Sequence, residues 1–166
     1  MRLTRAICTL GGVGLIRPAP GTWGTVASIP LAWVIHGLTG FPGLVLATLI
    51  VIAVGTWAIA QEEALTGAHD ASEWVIDETA GIWIALWPLS AGLWHAGVDP
   101  WIFPYPGWIG AFVMFRLFDI WKPGPVGWAD RKNTPWGVML DDLIAGVMAA
   151  VVVALAAGVS HGLMGQ

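Results

Sequence analysis

The chain has 166 residues, 57% of them apolar and only 11% charged, with a mean hydropathy of +0.73 and a formal net charge of −4. Soluble domains carry about 25% charged residues, so this composition excludes an ordinary soluble globule and points to a membrane protein with a single domain, residues 1–166. The acidic balance also excludes a basic nucleic-acid surface.

The N-terminal segment holds Arg2 and Arg5 but no long apolar stretch ending in a small-residue cleavage site before Pro18, so no removable signal peptide is expected. Cys8 is alone. It therefore founds no disulfide framework or thiolate metal cluster, lacks the Arg spacing of a Cys-nucleophile phosphatase, and reads as a small buried hydrophobe. Gly21-Thr-Trp-Gly-Thr25 follows Arg17-Pro-Ala-Pro20, and Thr22 is the expected N-cap of the first long helix, whose free N–H groups form a natural anion site.

Between Arg17 and Glu62 the chain is uncharged and is broken by Gly40-Phe41-Pro42-Gly43, which predicts two passes near Val26–Leu38 and Leu44–Ala60. Further spans are predicted near Thr79–Leu93, Ile102–Phe118 and Leu143–Leu163, against the roughly 20 residues that cross a bilayer core. The expected fold is thus an all-α, multi-pass membrane bundle of about five helices. Threading these passes alternately places the N-terminus, Gln61–Glu78 and Asp119–Asp142 on one side, together with every Lys and Arg. The positive-inside rule makes that side the cytoplasm. Ten of the eleven acids gather there too, leaving Asp99 and the C-terminus on the other side.

Two carboxylate pairs, Asp77-Glu78 and Asp141-Asp142, each stand at the start of a long uncharged stretch. Carboxylates beside a helix N-terminus are stabilised by the macrodipole, and a pair of them can hold a hard divalent cation. In the segment before the first pair, Asp70, Glu73 and Asp77 fall on one face if the segment is helical, and three such charges repel unless a cation sits between them. A solvated connector is the plain alternative, outweighed by the position of Asp77 and Glu78 at a span. Further on, Arg116 and Asp119, like Asp119 and Lys122, are three apart at the end of a helix that Pro123 stops. A salt-bridged helix end explains Arg116 alone. The set as a whole, with Asp130 and Arg131, supplies cations for phosphate oxygens and acids for a metal.

The remaining features read as structural. Trp23, Trp94, Trp101, Trp121, Trp128 and Trp136 fall near span ends, as an interfacial aromatic belt requires. His36, His95 and His161 lie in or beside apolar segments without a carboxylate neighbour and read as packing or interfacial residues. There is no internal repeat.

In order along the chain, Arg17-Pro-Ala-Pro-Gly-Thr-Trp-Gly24, His69-Asp70 with Ser72-Glu73, Val75-Ile-Asp-Glu78 with Gly81, Phe115-Arg116 with Asp119 and Trp121-Lys-Pro123, Trp128 with Asp130-Arg131, and Gly137-Val-Met-Leu-Asp-Asp142 with Ala145-Gly146 resemble the phosphatidylglycerophosphatase A family. The likeness runs from about Gly11 to Gly146. Asn133-Thr-Pro-Trp136 departs from it, where members often carry a Gly pair, while the carboxylates are retained. The resemblance implies a Mg²⁺-dependent enzyme of the bacterial inner membrane that removes the terminal phosphate of the phospholipid phosphatidylglycerophosphate. On that footing Asp77, Glu78, Asp141 and Asp142 are the expected metal core, with Asp119 or Asp130 as a further ligand or water-orienting base. Arg116, Lys122 and Arg131, with Thr22 and Asp70, are the expected substrate-binding set. Metal-activated water is the expected nucleophile, ahead of an aspartyl-phosphate route for which no Asp-x-Asp motif is present. The alternatives are a phosphatase of another phospholipid and a cation-coupled transporter. A transporter would place acids near the midplane rather than at one end.

Overall fold

A computed structural model describes residues 1–164, with side chains described up to residue 160. These residues form α1 (Leu3–Cys8), a 3-10 turn (Leu10–Leu15), α2 (Pro20–Thr66), α3 (Ile76–His95), α4 (Tyr105–Trp121), α5 (Pro125–Asp130) and α6 (Pro135–Met164), with no strand among them. The packing or interfacial role expected of the His161 side chain lies outside the described residues, as does the C-terminal residue itself.

The two passes expected between Arg17 and Glu62 are arms of the single element α2. Gly40, at φ 68° and ψ −167°, takes a backbone conformation essentially reserved for glycine and turns the chain back. Contacts with α3 trace the hairpin. Thr25 meets Glu78, Ser28 meets Thr79 and His36 meets Ser90, so the first arm, residues 20–39, runs parallel to α3. Thr48 meets Trp87 while Gly55 lies on Ile76, so the second arm, residues 41–66, runs antiparallel.

Helix α3 is the hub, buried on all sides from Ile76 to Leu86 apart from Glu78. On it α6 packs in parallel, so tightly at Gly146 that a Cβ there would come within 2.4 Å of the Gly81 carbonyl oxygen. Helix α4 packs antiparallel, with Gly107 against Leu89 and Arg116 reaching Glu78. The first arm of α2, α3 and α6 therefore all start at one end of the molecule, where the second arm and α4 finish.

The outer faces of these helices are apolar, the reverse of a soluble helix. Val147, Val151, Leu155 and Val159 form an exposed stripe on α6, and Ile109, Val113, Leu117 and Ile120 form one on α4. Two helices, Pro20–Thr66 and the Pro135–Ser160 stretch of α6, are long and apolar enough to cross a membrane, and only 28% and 17% of their most apolar windows is buried in the molecule. The core helix of a soluble protein would be mostly buried, so apolar faces exposed to this extent suit a lipid surrounding. All six Trp residues expected at span ends are exposed. His36 is buried, with Nδ1 2.7 Å from the Ser90 hydroxyl, and so takes the packing role expected of it.

Candidate active site

At the end where three long helices start, their aligned N-termini present the positive poles of their dipoles to one cavity of about 350 Å³. Asp77 and Glu78 occupy the first turn of α3. Asp141 and Asp142 sit deeper than expected, in the second turn of α6. That helix starts early because Pro135 suits its first position, while the Thr134 hydroxyl accepts the Gly137 N–H at 3.0 Å as a cap. Thr134 and Pro135 belong to the segment that departs from the family pattern, and they make a sound helix start.

The two acidic pairs share a local geometry. The Glu78 N–H donates to Asp77 Oδ1 at 2.9 Å, and the Asp142 N–H donates to Asp141 Oδ1 at 3.0 Å. Asp77, Asp141 and Asp142 are all buried. The Asp142 carboxylate accepts no hydrogen bond from any described residue, and the charges around it are those of Asp119, Asp77, Asp141 and Glu78.

Helix α4 delivers the cations. Arg116 Nη1 lies 2.5 Å from Asp119 and 3.3 Å from Glu78 Oε1, realising the expected i, i+3 pair and a contact across to α3. Its Nε is buried without a hydrogen-bond partner. Lys122 takes a left-handed conformation at φ 49°, which ends α4 just before Pro123. It pairs not with Asp119 but with Asp130 of α5 and, at 2.9 Å, with Asp141 of α6. Burial works against its ammonium, yet those two hydrogen bonds and the charges of the same carboxylates together outweigh it and hold the group above the usual lysine range.

Of the expected site residues, Asp70, Asp77, Glu78, Arg116, Asp119, Lys122, Asp141 and Asp142 line the cavity, six carboxylates against two cations. Asp130 reaches it only through Lys122, and neither Thr22 nor Arg131 lines it. Two expectations need correction. Thr22 is not the N-cap of α2: Ala19 holds that position because Pro20 opens the helix, and Thr22 falls in its first turn. The Asp70–Asp77 segment is not one helical stripe, since Asp70 sits at φ 49° and α3 begins only at Ile76. Glu73 consequently turns to Arg5 at 3.1 Å while Asp70 and Asp77 face the cavity.

Sequence reasoning missed Thr25, whose hydroxyl lies 3.0 Å from Glu78 Oε2, and Gly21, where a Cβ would stand 1.9 Å from Glu78 Oε1. A hydroxyl every three or four residues in an otherwise apolar run, at Thr22, Thr25 and Ser28, was the available signal. Among the described residues no three His, Cys, Asp or Glu side chains are already gathered into a metal cage. The donors are nevertheless all oxygen and carry surplus negative charge, the chemistry that takes a hard divalent cation.

The family model described as Phosphatidylglycerophosphatase A matches residues 6–157 of this chain. The chain is 35% identical over 143 residues to a phosphatidylglycerophosphatase A of Haemophilus influenzae, covering 86% of this chain and 81% of that protein. It is 35% identical over 141 residues to that of Escherichia coli K12, covering 84% and 74% respectively. A Bacteroides thetaiotaomicron protein named as a candidate phosphatidylinositol-3-phosphatase is 33% identical over 149 residues, 87% of each chain. No solved structure matches the chain.

Proposed function

The chain belongs to the phosphatidylglycerophosphatase A family, and we propose that it hydrolyses the terminal phosphomonoester of phosphatidylglycerophosphate to phosphatidylglycerol and inorganic phosphate. The observation that carries this reading is the charge surplus of the cavity: six carboxylates and two cations face a space of about 350 Å³. A phosphomonoester is itself an anion and is repelled by such a pocket unless divalent cations enter with it.

Mg²⁺ fits this donor set, because it binds through one or two carboxylates and keeps several waters rather than needing a complete protein cage. Asp77, Asp141 and Asp142 are the ligands we propose, with Glu78 at the edge of the set because Thr25 and Arg116 engage its oxygens. When bound, the ion supplies charge neutralisation at the phosphoryl oxygens and a lowered pKa for water.

The chain's own residues do the rest. Arg116, with only Nη1 committed to carboxylates, offers its remaining donors to the phosphoryl group. Lys122 adds a fixed positive charge beside Asp141. Asp119, at the cavity wall, orients a water and takes its proton as the water oxygen adds to phosphorus. The bond from phosphorus to the glycerol oxygen breaks on the opposite side, that oxygen takes up a proton from solvent at the cavity mouth, and Asp119 returns its proton to solvent.

We place the protein in the bacterial inner membrane with five passes: the two arms of α2, then α3, α4 and α6. The cavity then opens to the cytoplasm, because the cationic side chains lie at its end of the bundle. Ile120 lines the cavity and is also exposed on the apolar face of α4, which gives a membrane-resident headgroup a lateral approach.

The test is phosphate release by purified protein in mixed micelles from phosphatidylglycerophosphate, phosphatidate and phosphatidylinositol 3-phosphate. Preferred turnover of the first supports the proposal. Preferred turnover of the inositol lipid would keep the chemistry and move the chain toward the Bacteroides relative. No turnover of any of the three by folded, Mg²⁺-loaded protein would sink it.

A further inference from the structure

We infer that Glu78 is a positioning residue for Arg116 rather than a metal ligand, and that Thr25 and Gly21 of α2 hold it in that role. This rests on the reading of the cavity as a phosphomonoester site. Of the four acids, only Glu78 has both carboxylate oxygens engaged by side chains of other helices, Oε2 by the Thr25 hydroxyl at 3.0 Å and Oε1 by Arg116 Nη1 at 3.3 Å; Asp141 meets one such side chain, Lys122, and its other oxygen accepts only the N–H of the next residue in its own helix. The backbone at Gly21 closes the same side, since even one added carbon would stand 1.9 Å from Oε1. A Mg²⁺ ion needs carboxylate oxygens at about 2.0–2.1 Å and room for its waters, and no such room lies between Glu78 and the first turn of α2. Asp142, one helix away, is the opposite case, with no donor on its carboxylate among the described residues.

What Glu78 does hold is the guanidinium. With Asp119 at 2.5 Å on the same Nη1 and Glu78 closing from α3, the Arg116 fork is gripped at one corner. Its Nε has no partner, and the rest of its donors are left for a ligand. A planar fork fixed in this way binds phosphate oxygens in one orientation, which a flexible side chain does not. The small residue at Gly21 and the buried hydroxyl at Thr25 thus act through Glu78 on substrate.

The experiment compares Glu78→Gln, Thr25→Val and Thr25→Ser in detergent, reading Mn²⁺ affinity by electron paramagnetic resonance and inorganic-phosphate affinity by calorimetry in the presence of Mg²⁺. In Glu78→Gln and Thr25→Val we expect Mn²⁺ affinity within about twofold of the unmodified protein and phosphate affinity weakened about tenfold, with KM for lipid rising in step. Thr25→Ser, which keeps the hydroxyl, should restore phosphate affinity. A loss of Mn²⁺ affinity of about tenfold or more in Glu78→Gln would make Glu78 a ligand and overturn the inference. Unchanged phosphate affinity in Thr25→Val would overturn it as well. Both constants are read without turnover, so failure to hydrolyse lipid counts against the proposed function alone.

Discussion

Two acidic clusters, each with buried carboxylates, lie at the same end of this bundle, and they differ in charge balance. Beside α1, Glu62 is 2% exposed and fully partnered, by Arg2 at 3.2 Å and the Thr4 hydroxyl at 2.5 Å, while neighbouring Glu73 pairs with Arg5. There two acids meet two cations. In the cavity between α3, α4 and α6, six acids meet two cations, and Asp142 has no donor among the described residues. Burial of a carboxylate alone therefore does not mark a site. A matched charge ties elements together, whereas a surplus that the fold leaves unrelieved calls for something that arrives from outside.

The sharpest way to break this comparison is to neutralise one member of the surplus. Asp142→Asn should lower kcat by about a thousandfold, roughly 4 kcal/mol of transition-state stabilisation, in a phosphate-release assay. Because it also removes like-charge repulsion, the same variant should melt higher than the unmodified protein in chelator. A gain of about 1 kcal/mol would appear as a rise of about 2–4 °C in Tm by calorimetry.

Next in size is Lys122→Met, which cuts the link from α4 to Asp130 and Asp141. A fall in kcat/KM of about tenfold is expected. Its pH signature follows from the raised pKa of this ammonium. A group whose folded pKa lies above the unfolded value near 10.4 contributes stability that is fully present below that pH and lost as pH rises through the folded value. The Tm difference between the variant and the unmodified protein should thus persist up to about pH 9 and shrink only in stronger alkali.

The matched cluster should respond in the opposite sense. Glu62→Gln is expected to cost about 1–2 kcal/mol of stability, seen as a lower Tm, and to leave kcat/KM within about twofold. A large loss of turnover there would erase the distinction between the clusters.

The smallest effect belongs to Cys8, whose thiol is pushed up to about 12 by burial and then by the charges of Glu62 and Asp77. It should resist iodoacetamide at pH 8 in the folded protein, and Cys8→Ala should leave activity unchanged.

Much of this was legible in the chain because it is local. Uncharged runs mark the arms of α2 and the start of α3. Gly40 marks the turn, Pro123 the end of α4, and the i, i+3 spacing the Arg116–Asp119 pair. Both carboxylate pairs announce themselves by standing where long uncharged runs begin. What was hidden depends on the approach of distant segments. Glu62 reads as a mere bracket to an apolar run until Arg2 and Thr4 fold onto it from about sixty residues away. Lys122 has an acid three residues back, yet its left-handed backbone swings it to α5 and α6 instead. Asp70 and Glu73 suggested one stripe, but the break between α2 and α3 parts them, a tertiary outcome that spacing alone does not encode. Thr25 lies in an apolar run, and only its partner on α3 gives it a role.

The most direct test of the account is a Mg²⁺ titration of phosphate release from phosphatidylglycerophosphate by the purified protein, with a chelator arm at each lipid concentration. The account predicts turnover that saturates with Mg²⁺ and falls by about a hundredfold or more in chelator, because the uncompensated carboxylates then repel the phosphomonoester. Undiminished hydrolysis in chelator would contradict it, since the charge surplus of the cavity would then need no cation to admit its substrate.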